Sequence, residues 1–308
     1  MKVYTLLDEV QFCSELVILG GLYDDLHEAR YNGLVEFCKS NIQYVDDPAI
    51  CDCIVLPHKF KNTSDSVFVE LCTVAMRHNK KLLCFYNDDD GKRWDMPPHA
   101  ILFRTSCWFE HSKTPNVYGL PAFTRDKFNN TYLEPQLTIG YCGHQLAGRE
   151  KYINTLQQSS LQTNFILRSH GLDGTTNGQF INEFHNNIRD NMFTFCYRGG
   201  GNFSYRFYEV LQHGRIPILV DTNCKFPFDD VVDINTLGVV IDGRSDMRDE
   251  LNSGTHLLES NIDLVGAILD YYDTNKNNLL DIQHNNREIY QDYFSPIGFV
   301  DNIKRYIT

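Results

Sequence analysis

The residues best placed to do chemistry lie close together, in "CYRGGGNFSYRFYEVLQHGRIPILVD" between 196 and 221. Arg198 follows an apolar run and precedes Gly199, Gly200 and Gly201; Ser204, Arg206 and Glu209 come next, in a helix-like stretch that Gly214 ends. Glycines let a backbone approach a bound group closely. Free N–H groups at a helix start attract anions, phosphate above all, and arginine offers a planar fork that matches phosphate oxygens. This combination points to a site for a phosphate or diphosphate, with Glu209 further along the helix to accept hydrogen bonds from a ribose. The loop is not a Walker loop, because no Gly-Lys-Ser/Thr follows. Nor is it a full G-x-G-x-x-G, because Ser204 stands at the third glycine position. A tight turn beside an Arg206–Glu209 surface pair at i,i+3 is the alternative.

Elements on both sides must hold this loop. At about 100° per residue, Phe203, Phe207, Val210 and Leu211 share one face of the helix and dock it on a sheet, leaving Tyr205, Arg206 and Glu209 on the other side. Gly214 suits the C′ position and His213 the last turn. "MFTFCY" (192–197) reads as the strand before the loop and "IPILV" (216–220) as the strand after it. Arg198 therefore sits at the carboxyl end of a strand, where open α/β sheets hold ligands.

The same alternation runs through the chain. Residues 51–57, 81–86 and 100–103 read as strands, with a helix over 66–79; the stretch 113–136, rich in proline and asparagine and without period, reads as a crossing between domains. Strands at 137–142, 164–168 and 238–242, helices at 149–158 and 178–190, and a helix-rich tail from 262 complete a second half. Two α/β halves around a cleft are expected, divided as 1–133 and 134–308.

Composition bounds the function. The chain has 308 residues and a net charge of −12, which argues against a general nucleic-acid binder, so any phosphate must be caught locally. The first 21 residues are interrupted by Asp8, Glu9 and Glu15, and no apolar run reaches membrane-spanning length. The ten cysteines are scattered, many in apolar runs (Cys53, Cys72, Cys84, Cys142, Cys196), and read as buried thiols of a reducing compartment. Cys51 and Cys53 lack a second pair at zinc-site spacing, so no metal is expected there. The Asn202 sequon lies inside the glycine loop, where a glycan would block the site.

The stretch "FCYRGGGNFSYRFYEVLQHGRIPILVDTNCKFPFDDVVD" resembles the signature of the exostosin-like glycosyltransferases. That signature is arginine-glycine after a strand, a serine-aromatic-arginine-aromatic-x-glutamate helix, glycine-x-isoleucine-proline, then a loop with proline-phenylalanine. "CDCIVLPHKF" and "LLCFYNDDDG" carry weaker echoes. The resemblance implies a GT-B fold: two Rossmann-like domains facing a cleft, the acceptor held mainly by the first and a UDP-sugar mainly by the second. It further implies transfer to an oligosaccharide or glycan, often with inversion and without a catalytic metal or cofactor. Carried over, Arg198, Arg206, Gly199 and the N–H groups around Ser204 would hold the diphosphate, Glu209 the ribose, and Arg149 would be a third phosphate ligand. Asp221 and the loop after it would lie near the donor sugar. Its acceptors Asn223, Asp229 and Asp230 and its single cation Lys225 favour a pentose, xylose first, over a hexuronate. Arg168 and His170 end a strand where such enzymes contact the nucleotide base. Three glycines in a row depart from the pattern. So does the missing amino-terminal anchor, which points to a stand-alone cytoplasmic member, of the kind a large DNA virus would encode.

Transfer with inversion needs a base on the acceptor hydroxyl as well as cations on the leaving group. Asp88, Asp89 and Asp90 follow the strand 81–86, and His58 follows "IVLP", so these four are the candidates. Trp94 and Trp108 would stack on an acceptor sugar. Each has a plain structural alternative: a solvated turn for the aspartates, packing for His58 and the tryptophans. The rival functions are a non-catalytic nucleotide-sugar or glycan binder and a dinucleotide-dependent oxidoreductase.

Overall fold

The computed structural model describes residues 1–23, 25–109, 113–145, 148–168, 178–244 and 263–307. The first domain is a parallel sheet of β1 (Lys2–Tyr4), β2 (Gln43–Tyr44), β3 (Cys53–Val55), β4 (Leu82–Tyr86), β5 (Ala100–Arg104) and β6 (Val117–Gly119). Its helices are α1 (Gly20–Tyr23), α2 (Asp25–Arg30), α3 (Leu34–Asn41) and α4 (Ser66–His78). The spatial order is β2-β1-β3-β4-β5-β6. Every residue of β4 and β5 is buried, as a parallel strand covered on both faces requires. Alternate side chains serve two cores: Leu83, Phe85, Ile101 and Phe103 on one face, Leu82, Cys84, Ala100 and Leu102 with Phe68 and Leu71 of α4 on the other. Asp65 caps α4 by accepting from the Phe68 amide at 3.1 Å, and Asn79 ends it in the left-handed conformation.

The second domain holds β7 (Thr138–His144), β8 (Gln162–Arg168), β9 (Phe193–Cys196), β10 (Ile216–Asp221) and β11 (Val239–Asp242), all parallel, in the order β11-β10-β9-β7-β8. Around it lie α5 (Arg149–Gln158), α6 (Gly178–Asp190), α7 (Tyr205–Gln212), α8 (Leu264–Asn275) and α9 (Leu279–Ile289). Phe207, Val210 and Leu211 of α7 are buried as its periodicity requires, and so is Tyr208. Two Rossmann-like sheets form one chain, the GT-B organisation.

Three short strands escape the sequence pattern. β1 and β2 lie where no strand is read, and β6 falls inside the stretch 113–136 taken as a linker. Three residues are too few to show a period. The far end of the chain crosses between the domains. A π-helical turn at Tyr290–Phe294 leads into α10 (Pro296–Asn302), which leaves the second domain. Phe299 packs on Phe85, Phe103 and Phe123 of the first, with ring centroids 6.2, 5.4 and 5.5 Å apart. One apolar core thus runs from β4 and β5 through α10 to α7.

Candidate functional site

In the second sheet the first strand, β7, lies between β8 on one side and β9 on the other. The chain leaves β7 and β9 in opposite directions, opening a crevice at their carboxyl ends, where doubly wound sheets bind ligands. Gly143, Arg149, Arg198, Gly199, Ser204 and Arg206 all gather here. Arg149 ties the two loops together, its Nη2 donating to the Arg198 carbonyl at 2.8 Å and its Nη1 to the His144 carbonyl at 3.2 Å. Arg206 donates to the Cys142 carbonyl at 2.6 Å and lies over the Tyr141 ring, 4.3 Å from its centroid. Gly143 makes room for it, since a Cβ there would stand 2.7 Å from Arg206 Nη2. The Nε atoms of Arg149 and Arg206 are buried without a hydrogen-bond partner. Ser204 is the N-cap of α7, yet its side chain makes no capping bond, so the first amides of the helix stay open to an incoming anion.

Glu209 lies a turn along from Arg206 on α7. Burial pushes its carboxyl up to about 7, and the Arg206 guanidinium acts in the opposite sense. No ion pair engages it among the described residues, so the surface pair considered from the sequence does not form.

The three glycines divide by role. A Cβ on Gly199 would meet nothing nearer than 3.9 Å, so this residue faces open space. On Gly200 it would stand 2.6 Å from Asp89 Oδ2, and on Gly201 2.9 Å from the Asp89 Cα. The second and third glycines therefore let the first domain close on the loop. Asn202 is fully buried in the same contact: its amide donates to Ser106 Oγ at 3.0 Å, and its side-chain oxygen accepts from Thr222 at 2.7 Å.

The aspartate run does not act as a unit. Asp88 pairs with Lys59 at 3.3 Å. Asp90 takes the Tyr86 hydroxyl at 2.7 Å and pairs with the buried Arg104 at 3.3 Å. Asp89 alone lies against the glycine loop. His58 is 2% exposed, with Nδ1 2.9 Å from the Lys59 carbonyl and Nε2 3.6 Å from Asp65, so both nitrogens face protein rather than the cleft. Trp94 packs edge-on against Phe60 and Tyr86, and Trp108 bridges to Cys224 across the domains.

The loop after β10, expected near the donor sugar, takes part in the domain contact. Lys225 N donates to the Cys107 carbonyl at 2.8 Å and Phe109 N to the Asn223 carbonyl at 2.9 Å. Lys225 pairs with Asp229 at 2.8 Å and Asp230 with Arg305 at 2.6 Å. Asp221 is buried: it accepts from the Asn223 and Cys224 amides and pairs with Arg244 at 2.7 Å. The carboxylates of Asp221, Asp229 and Asp230 are each engaged by a donor within the protein. Arg168 pairs with Glu183 at 2.7 Å and stacks on Phe180; His170 lies outside the described residues.

No protein-family model matches the chain, and no curated protein matches it in sequence. Among solved structures, TarM is similar at 10% identity and a TM-score of 0.38, over 78% of this chain and 60% of TarM. The chain thus spans about 60% of the length of TarM. T4 phage BGT, solved in complex with its UDP-glucose substrate, is similar at 10% identity and a TM-score of 0.36, over 100% of this chain and 99% of that one.

The structure adds residues that the sequence does not single out. Glu15 is 9% exposed, and its carboxylate accepts from Ser14 Oγ at 2.6 Å, Cys13 Sγ at 2.9 Å and Asn87 Nδ2. Asn87 also bonds the side chain of Tyr205, the first residue of α7, and accepts from Thr105 at 2.9 Å. The sequence signal was there: a carboxylate in "CSELVILGG", directly before a run of buried residues. Among the described residues no cluster of three or more metal-ligating side chains occurs, and no helix is long and apolar enough to cross a membrane. All ten cysteines are free thiols.

Proposed function

We propose that the protein is a glycosyltransferase that takes a UDP-sugar and moves its sugar to a hydroxyl of a glycan, in the manner of the exostosin-like enzymes its loop resembles. One observation carries this reading. Arg198, Arg206 and the uncapped start of α7 converge on the switch-point crevice of the second sheet, with Glu209 beside them. A diphosphate fits there: guanidinium groups and open amides meet its charge both in the bound donor and as it builds on departure. Glu209 then reaches the ribose. The same positive groups supply the field that a divalent cation would otherwise provide, so the reaction proceeds without one.

Titration with UDP tests the donor site. Arg198→Ala should weaken UDP by tenfold or more, since a charge-assisted hydrogen bond contributes about 1.5–3 kcal/mol. Unchanged affinity in a folded variant removes Arg198 from the site. Release of UDP from a UDP-sugar separates an enzyme from a binder, and the rate should survive EDTA treatment; recovery only with Mn²⁺ or Mg²⁺ would refute metal independence. We infer further that the donor sugar is a pentose, xylose first, because the loop after β10 offers one cation, Lys225, beside several acceptors. Released UDP from UDP-xylose and UDP-glucuronate, measured separately, tests it: faster turnover of the glucuronate, reduced by Lys225→Ala, refutes the pentose.

A further inference from the structure

The first domain has a switch point of its own, between β1 and β3, because β2 and β3 flank β1. The chain leaving β1 runs to Glu15. Its buried carboxylate is held by three neutral donors, Cys13, Ser14 and Asn87, and by no ion pair among the described residues. Arg30 is near enough to act on it through space but spends its Nε on the Tyr31 hydroxyl, 2.9 Å away. A carboxylate offers about four acceptor positions. Three are filled by groups that fix its orientation without neutralising it, and one is left for an incoming hydroxyl.

Its position relative to the donor crevice is set by Asn87. That side chain joins Glu15 to Tyr205, and Tyr205 immediately precedes Arg206. Two residues after Asn87, Asp89 rests on the glycine loop. The two switch points therefore face each other, one with a carboxylate and the other with guanidinium groups. The other carboxylates in reach are differently occupied. Asp88 and Asp90 are paired with cations, and Asp89 is exposed to water against the loop backbone.

We propose that Glu15 is the base of the transfer, a role that rests on the glycosyltransferase reading above. As the acceptor oxygen bonds to the anomeric carbon, the bond from that carbon to the diphosphate breaks and its electron pair leaves on UDP. The hydroxyl proton passes to the Glu15 carboxylate, which Cys13, Ser14 and Asn87 hold in place throughout.

The test uses UDP-glucose and UDP-xylose with water as the acceptor, and titration with UDP alone. Glu15→Gln should lower UDP release by about 100-fold or more, the range of a lost general base, with the UDP dissociation constant unchanged within about threefold. Glu15→Ala should be equally slow and should regain activity when formate is added, because a free carboxylate can replace the missing base but not a missing structural contact. A Glu15→Gln enzyme within about threefold of the wild-type rate overturns the assignment. So does a loss that formate leaves untouched, or one matched by an equal loss of UDP affinity. A wild-type protein that does not bind UDP overturns the donor-site reading instead, which separates the two failures.

Discussion

Glu209, proposed to bind the ribose, shows how a buried carboxylate can work against the fold. Its carboxyl is raised from an ordinary value near 4.5 to about 7, mainly because burial disfavours the charge. The sign follows. Below pH 4.5 folded and unfolded chains both carry the proton, and the contribution to stability is complete. Between 4.5 and about 7 the unfolded chain has lost the proton while the folded chain keeps it, so stability falls as pH rises; above 7 the loss is complete and constant. The partial exposure of the residue discounts the effect to about 2 kcal/mol. Glu209→Gln should therefore melt higher than wild type at pH 8, with the gap closing by pH 4, while binding UDP about tenfold more weakly. Thermal melts across that range, paired with calorimetry, decide it. A variant that melts no higher at pH 8 means the carboxylate is better solvated than its surroundings imply.

At the scale of elements, the glycine loop separates into a part open to the crevice and a part for packing. Gly199 faces space, whereas a methyl group on Gly201 would meet the Phe203 ring at 2.8 Å and the Asp89 backbone at 2.9 Å. Backbone yields less readily than a side-chain tip. Gly201→Ala should cost about 1–3 kcal/mol of stability, as overpacking does. Gly199→Ala should leave stability within about 0.5 kcal/mol and weaken UDP instead. Denaturant midpoints and UDP titrations of the two variants are the measurement, and an equal loss of stability in both would contradict the division. The same elements explain what the sequence could disclose. The loop and α7 are local: strand, glycines, cap position and apolar face all lie within about 25 consecutive residues, so both the element and its chemistry can be read along the chain. Glu15, Asn87 and Tyr205 could not be joined that way, because residues 72 and more apart meet only through the strand order of the first sheet and the contact between the domains. The contacts of the loop 221–230 were hidden for a related reason. Asp221 and Asp230 look unpaired in sequence, but their partners, Arg244 and Arg305, arrive from further along the chain.

For the whole molecule, the decisive feature is that the two domains share one core. Domains joined by a small polar interface move and melt independently, whereas a large apolar one couples them. Here Phe85 and Phe103 of the first sheet and Phe207 and Leu211 of α7 belong to the same buried cluster. Phe299 is fully buried within it, packed on three rings of the first domain and on Phe228 of the second at 5.8 Å. Arg287 adds a polar tie, pairing with Asp126 of the connecting segment at 2.6 Å. Phe299→Ala removes a ring that nothing nearby can replace, and such a cavity costs about 3–5 kcal/mol. Because the ring belongs to both domains, the cost should fall on one cooperative transition. Calorimetry of the wild type should give a single peak whose calorimetric and van't Hoff enthalpies agree, and the variant should move that whole peak down. Saturating UDP, which we propose binds in the second domain, should move it back up for both domains together. If Phe299→Ala instead splits the transition, with UDP protecting only the upper part, the cleft is spanned by two independent units and the shared core does not couple them.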